Sequence, residues 1–257
     1  MKTALITGGS SGIGLEYSRE LASRGYQLAL VSNREGELAD AKQTLNKEFG
    51  VPVHTLFADL AAAEGAEKTL AWCDSLGLEV EVLVNNAGMF FMEYLSPENL
   101  GKVTAMMGLH VCAPTKMCIL FGARMKERGK GYILNMSSMT ARIPAPGIAV
   151  YSASKAYLKS FGKSFSYEMR PFGVKVTTVC PAAVDTGLYP ISPALRHTLL
   201  RIGIIRSPRW LVRRAVRSLF RGRRTISPGL TNAIVPALVA SLPSRMIDHL
   251  GNKWIRK

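Results

Sequence analysis

Thr7-Gly8-Gly9-Ser10-Ser11-Gly12-Ile13-Gly14 follows the apolar run Lys2–Thr7 and opens an amphipathic stretch, Gly12–Ser23. A glycine-rich turn between a strand and a helix lets the backbone fold tightly and approach a pyrophosphate. The helix N-terminus then offers N–H groups and the positive end of its dipole. The spacing is GxxxGxG, not the GxGxxG of the standard dinucleotide fingerprint, so taken alone the turn is a weak signal that also reads as a plain tight connection.

Outward from this turn, apolar β-prone runs alternate with helical patterns. The strand candidates are Lys2–Thr7, Gln27–Val31, Val53–Phe57, Val80–Asn85, Gly131–Met136 and Val174–Cys180, with Thr225–Pro228 as a last one. Helical patterns cover Gly12–Ser23, Glu35–Glu48, Ala62–Ser75, Pro97–Lys126, Val150–Arg170 and Pro208–Phe220. The strands are almost continuously apolar, as strands covered on both faces are. The expected fold class is therefore α/β, a Rossmann-like doubly wound parallel sheet in one domain spanning residues 1–257. Residues 230–250 are apolar, with breaks expected at Pro236 and Pro243.

Further motifs fall at strand ends: Asp59-Leu60 after the third strand, Asn85-Asn86-Ala87-Gly88 after the fourth, and Ser137-Ser138 after the fifth. Tyr151-Ser152-Ala153-Ser154-Lys155 opens the next long helix. In a parallel sheet the strand C-termini share one edge, where ligands bind, so five separate motifs converge on one cleft. The set TGGSSGIG, NNAG, SS and YSASK, closing with Pro181-Ala182-Ala183-Val184-Asp185-Thr186, resembles the short-chain dehydrogenase/reductase family over residues 1 to about 186. The resemblance implies a sheet of about seven strands and NAD(P)-dependent redox chemistry on a carbonyl/alcohol pair. It also implies a helical substrate lid over 187–224, with 225–257 as a basic and apolar C-terminal elaboration. The cofactor residues it implies are Gly8, Ser10, Ser11, Gly12, Ile13, Gly14, Asn33, Arg34, Asp59, Leu60, Asn86, Ala87, Gly88, Tyr151, Lys155, Pro181, Val184 and Thr186. Family members commonly pair as dimers or tetramers through the long helices that here run Pro97–Lys126 and Val150–Arg170.

Hydride transfer to a ketone leaves an alkoxide that must be protonated, and the reverse reaction needs a base, so one group near neutral pKa serves both directions. An unperturbed tyrosine titrates near ~10. Lys155 lies four residues after Tyr151, on the same helix face. An ammonium about 4 Å from a phenolate, at an effective dielectric of ~20, contributes on the order of 4 kcal/mol, or about three pK units. Tyr151 is thus the expected acid/base and Lys155 its support, while Ser138 stabilises charge on the substrate oxygen.

Two positions depart from the family pattern. His110, in His110-Val111-Cys112-Ala113, stands where the family usually places a relay asparagine. Imidazole can hold a water and move protons, or it can be simply a packed helix residue, and both readings stand. Pro181-Ala182 replaces the usual Pro-Gly, which narrows the nicotinamide pocket. The second strand ends Ser32-Asn33-Arg34, without the acid that holds the ribose of NAD. Arg34 can pair with a 2′-phosphate, so NADP(H) is favoured over NAD, although the family's usual arginine position is Asn33.

The net charge of +15 is uneven: residues 190–257 hold fourteen Lys/Arg against Asp248, contributing +13, and the first 189 residues contribute +2. The lid residues Tyr189, Ile191, Leu195, Leu199, Leu200, Ile202, Ile204 and Ile205 imply an apolar ketone or alcohol substrate, of long-chain 3-keto lipid, acyl thioester or steroid type. The arginines that follow, mixed with Trp210 and Phe220, suit an anionic membrane surface, and equally a solvated helix face. Nucleic acid is set aside, because no stacking pattern accompanies the arginines.

Cys73, Cys112, Cys118 and Cys180 show no metal-ligand spacing, so no metal is expected, and they read as idle thiols of a reducing cytoplasm. With no signal-peptide pattern and no run of 18 apolar residues, the expected location is cytoplasmic, with peripheral contact at the inner face of a membrane, and no spanning helix. The alternatives to a reductase are an NAD-dependent dehydrogenase of a hydroxysteroid or other alcohol, and a non-catalytic nucleotide-binding scaffold or redox sensor.

Overall fold

The computed structural model describes residues 1–143, 145–185, 198, 205–229, 231–243 and 245–247. Seven strands form one parallel sheet: β1 Thr3–Thr7, β2 Gln27–Ser32, β3 Val53–Phe57, β4 Val80–Asn85, β5 Gly131–Met136, β6 Val174–Val179 and β7 Thr225–Ile226. Their order is β3-β2-β1-β4-β5-β6-β7. β1 pairs with both β2 and β4, so the direction of winding reverses beside β1. Ligands of such sheets bind in the crevice beyond the strand C-termini at this reversal.

Helices cover both faces, which is why the strands are apolar on both sides. On one face, α1 Gly12–Ala22, α2 Glu35–Phe49 and α7 Pro208–Phe220 bury Tyr17, Leu21, Leu45, Leu211, Val212 and Leu219. On the other, α3 Gly65–Ser75, α5 Ala113–Glu127 and α6 Ala149–Met169 bury Cys73, Met117, Phe121, Phe165 and Met169. Truncating a core phenylalanine such as Phe121 costs about 3–5 kcal/mol.

Four sequence expectations change. The helix expected over Pro97–Lys126 is a short 3₁₀ turn at Pro97–Asn99, α4 Leu100–Met107, a π turn at Gly108–Cys112 and then α5. Pro114 lacks an N–H, and its ring opposes the carbonyl one turn earlier. The π turn absorbs this mismatch by inserting a residue. Second, the latter part of the expected lid is a layer of the core: α7 packs Leu211, Val212, Ala215, Val216 and Leu219 inward and turns Arg209, Arg213, Arg214 and Arg217 outward. Residues 187–197 and 199–204 of that lid lie outside the described residues. Third, α8 Thr231–Ser241 runs through Pro236 without the expected break. Its missing bond would have reached the Asn232 carbonyl, which accepts instead from Arg142 Nη2 at 2.9 Å.

The stretch Pro97–Glu127 is also long and apolar enough to cross a membrane by length and composition, contrary to the expectation from apolar runs. Here its inner face is packed, with Met106, Met117, Cys118, Phe121 and Met125 all buried.

Candidate active site

The glycine turn is built around backbone proximity. Gly12 has φ +52°, a left-handed conformation suited to glycine, as α1 begins. A Cβ on Gly14 would overlap the Gly8 carbonyl, so only hydrogen fits there. The first N–H groups of α1 have no intrahelical acceptor and face a groove of about 720 Å³. The groove is lined by Gly8, Ser10, Ser11, Gly12, Ile13, Asn33, Arg34, Asp59, Leu60, Asn86, Ala87 and Gly88. Thr7 ties this edge together: its Oγ1 accepts from the Asn86 and Ala87 N–H groups at 2.9 and 3.0 Å. Asn86 Nδ2 returns a bond to the Thr7 carbonyl at 3.1 Å. Asp59 is exposed and accepts from the Ala61 N–H at 2.9 Å.

The groove runs into a second pocket of about 130 Å³, lined by Ile13, Asn86, Gly88 and Met89 on the shared side. Ser138, Tyr151, Lys155, His110, Pro181, Ala182 and Val184 line the rest. Thr186 lies outside the described residues. Residues separated by tens of positions in the chain therefore meet at one edge of the sheet. Ser138 caps a 3₁₀ turn, Met139–Arg142, and accepts from the Thr140 N–H at 3.2 Å. Tyr151 sits in the first turn of α6, with the Phe90 ring edge-on at 5.0 Å and His110 at 5.7 Å between centroids.

Lys155 is buried, with 6% of its surface exposed. Its Nζ lies 5.7 Å from the Tyr151 ring centroid and donates to the Met136 carbonyl at 3.0 Å. Burial lowers its pKa from the ordinary lysine value to about 8. Ser137, next to Ser138, donates to the Lys155 carbonyl at 2.7 Å, fixing the helix against the end of β5.

His110 is turned inward by the π turn and is 1% exposed. Its Nε2 accepts from the Met89 N–H at 3.0 Å, so Nδ1 carries the proton and faces Ser154 Oγ at 3.1 Å. Ser154 in turn donates to the Tyr151 carbonyl at 2.8 Å. Burial, with the nearby Lys155 charge, pushes the imidazole pKa down to about 2. Both ring nitrogens are engaged by protein groups. Ser154 and Met89 were not singled out from the sequence, because nothing local to them marks a partner at residue 110.

A second unforeseen residue is Glu37, which lines the groove beside Ser10 and Arg34. Its place in the first turn of α2, and not at the end of β2, hides it from a reading of the sequence by motif.

The short-chain dehydrogenase family model matches residues 2–192. The chain belongs to the short-chain dehydrogenase family. It is 31% identical over 248 residues to the very-long-chain 3-oxoacyl-CoA reductase of Homo sapiens, an alignment covering 94% of this chain and 75% of that protein. Among solved structures, it is similar to a short-chain dehydrogenase from Sphingobium yanoikuyae in complex with NADPH (26% identity, TM-score 0.79, covering 95% and 97% of the two chains). It is also similar to the bulky-bulky ketone specific alcohol dehydrogenase from Comamonas testosteroni (26% identity, TM-score 0.78, 95% of each chain). As a short-chain dehydrogenase, the chain is an NAD(P)-dependent oxidoreductase acting on carbonyl and alcohol groups. The cradle left by Gly14 and the open N-terminus of α1 fit the cofactor's pyrophosphate.

Proposed function

We propose that this short-chain dehydrogenase reduces the ketone of an apolar substrate, with long-chain 3-oxoacyl thioesters as the leading class and NADPH as the favoured cofactor. The observation that carries the reading is the meeting of Tyr151, Lys155 and Ser138 in a pocket continuous with the glycine-turn groove. The activity for which the human relative is named supports the substrate class. Met89, Met136, Ala182 and Val184 give the pocket an apolar wall. Arg34 at the far end of the groove supports the phosphorylated cofactor.

When bound, the nicotinamide supplies the hydride. Tyr151 gives its hydroxyl proton to the carbonyl oxygen, or takes it back in the reverse direction. Ser138 donates a hydrogen bond to the same oxygen. Its Oγ already accepts from Thr140, which leaves its own proton for the pocket. Lys155 stabilises the phenolate and holds the cofactor ribose. His110, with both ring nitrogens engaged, acts as a positioning residue: it links the Met89 backbone to the first turn of α6 through Ser154.

The partners follow from two exposed surfaces. Ile119, Tyr157 and Tyr167 are 54%, 40% and 52% exposed on α5 and α6, and we assign this strip to a homodimer contact. The outward arginines of α7 and the exposed Ile234, Leu238 and Met246 support peripheral contact of a cytoplasmic protein with an anionic membrane.

The test is nicotinamide-linked turnover of 3-oxoacyl thioesters graded from short to long chains, and of steroid ketones, with Tyr151→Phe as control. Rising kcat/KM with chain length, abolished in the variant, supports the reading. Turnover of short polar ketones alone would remove the apolar substrate, and nucleotide binding with no turnover across the panel would favour a scaffold. The competing NAD-dependent dehydrogenase reading draws on one observation, the Glu37 carboxylate in the groove.

A further inference from the structure

The adenosine end of the groove carries an ion pair that spans two elements. Glu37 Oε1 accepts from Arg34 Nη1 at 2.7 Å, and its Oε2 lies 3.2 Å from the hydroxyl of Ser10, in the glycine turn. Ser10 Oγ is also 3.1 Å from Ser32 Oγ, which accepts from the Arg34 N–H at 3.3 Å. The carboxylate thus bridges the glycine turn and the end of β2, the two elements that bracket the adenosine ribose of a bound dinucleotide. The Glu37 side chain is 35% exposed and that of Arg34 is 69%. The acid is therefore the better held of the pair, and the arginine the one that can swing away.

We propose that Glu37 determines cofactor specificity: it occupies, from within the protein, the place where a 2′-phosphate would meet Arg34 and Ser10. The chain's preference for the phosphorylated cofactor is thereby held below what Arg34 alone would confer. The inference rests on the reading of Arg34 as the phosphate-facing residue.

The chemistry separates the two cofactors. A ribose 2′-hydroxyl is a donor and finds in Glu37 an anionic acceptor. A 2′-phosphate carries no such donor and bears about −1.5 to −2 charges near neutrality. It must draw Arg34 and the Ser10 hydroxyl away from Glu37 and still lie beside the remaining charge. Hydrogen bonding to Arg34, together with Ser11 and Ser10, keeps the Glu37 carboxyl below the usual carboxylate range, so it is ionised at neutral pH. Arg34 serves either cofactor by changing partner. Glu37 opposes only the phosphorylated one.

The experiment is a binding titration of 2′,5′-ADP and 5′-AMP, which needs no turnover, on the wild type, Glu37→Gln and Arg34→Ala, paired with kcat/KM for NADPH and NADH. Glu37→Gln is expected to raise the 2′,5′-ADP to 5′-AMP affinity ratio by about tenfold, the scale of one like charge removed from a partly solvated anion site. Arg34→Ala is expected to lower the same ratio. A ratio unchanged in Glu37→Gln, or moved toward 5′-AMP, would overturn the proposal while leaving the active-site reading intact. Wild-type protein that bound neither nucleotide would overturn the groove assignment, and this proposal with it.

Discussion

Arg142 Nη2 lies 2.9 Å from the backbone carbonyl of Asn232, the carbonyl that Pro236 leaves without its helical partner. One side chain from the turn after Ser138 thus completes a helix ninety residues away. Removing it by Arg142→Ala strands a buried carbonyl and is expected to cost about 1–3 kcal/mol. Because Pro236→Ala restores an N–H to that carbonyl, Arg142→Ala should cost less in the Pro236→Ala background. Thermal unfolding of the four proteins of this cycle measures the coupling, and strict additivity would remove the link.

Tyr151→Phe is expected to lower kcat by about 10²–10⁴, the range for a lost general acid, with nucleotide affinity within a few fold of wild type. Rapid-mixing turnover and nucleotide titration read the two separately. An equal loss of both would point to a collapsed pocket instead of a missing proton.

His110 has a folded-state pKa near 2 against an ordinary value of 6.5, so the folded protein excludes a proton that the unfolded chain accepts between these values. Its contribution is present above pH 6.5 and is lost as pH falls toward 2, amounting to about 6 kcal/mol if the full shift is realised. Acid unfolding should show a shallower limb in His110→Gln. The wild-type pH–rate profile should also lack a histidine ionisation near neutrality. A limb near pH 6.5 that vanished in His110→Gln would return His110 to the proton relay.

For Lys155 the sign is the same but the window lies above neutrality, so the penalty is fully present at pH 7. Its pKa falls from 10.5 to about 8, so the folded state prefers the neutral amine. The destabilisation is complete below about pH 8 and is relieved as pH rises to 10.5, a span of about 3 kcal/mol. Lys155→Met should therefore be at least as stable as wild type at pH 7 while inactive, with a flatter stability profile between pH 8 and 10. Denaturant unfolding across that window checks it.

Two surfaces are open to direct challenge. On the proposed dimer, the wild type should sediment as a dimer in analytical ultracentrifugation and Ile119→Arg as a monomer, and a monomeric wild type would end the dimer proposal. Separately, sedimentation with anionic vesicles at low salt should depend on Leu238 and Arg214, weakening in Leu238→Asp and in Arg214→Glu and fading as salt screens the arginines. Protein that stayed in the supernatant with such vesicles would end the membrane proposal.

The sheet, the glycine turn and the Tyr151–Lys155 pair were legible in the chain because each is encoded locally. Strands buried on both faces read as apolar runs, a nucleotide turn needs glycines at fixed offsets, and residues four apart share a helix face. The π turn at Gly108–Cys112 was not legible, since Pro114 marks a disturbance but not its form. Nor was the role of α7. Its arginines suggested a surface element, and only packing showed Leu211, Val212 and Ala215 to be core. Sequence alone determined the architecture and the placing of Tyr151 and Lys155 on one helix face. Tertiary structure decided that His110 is held by Met89 and Ser154, that Glu37 faces Arg34 and Ser10, and that Pro236 is tolerated. The reason is physical: which polar group satisfies a buried donor or acceptor depends on what the fold brings within about 3 Å, and a linear pattern does not record that distance.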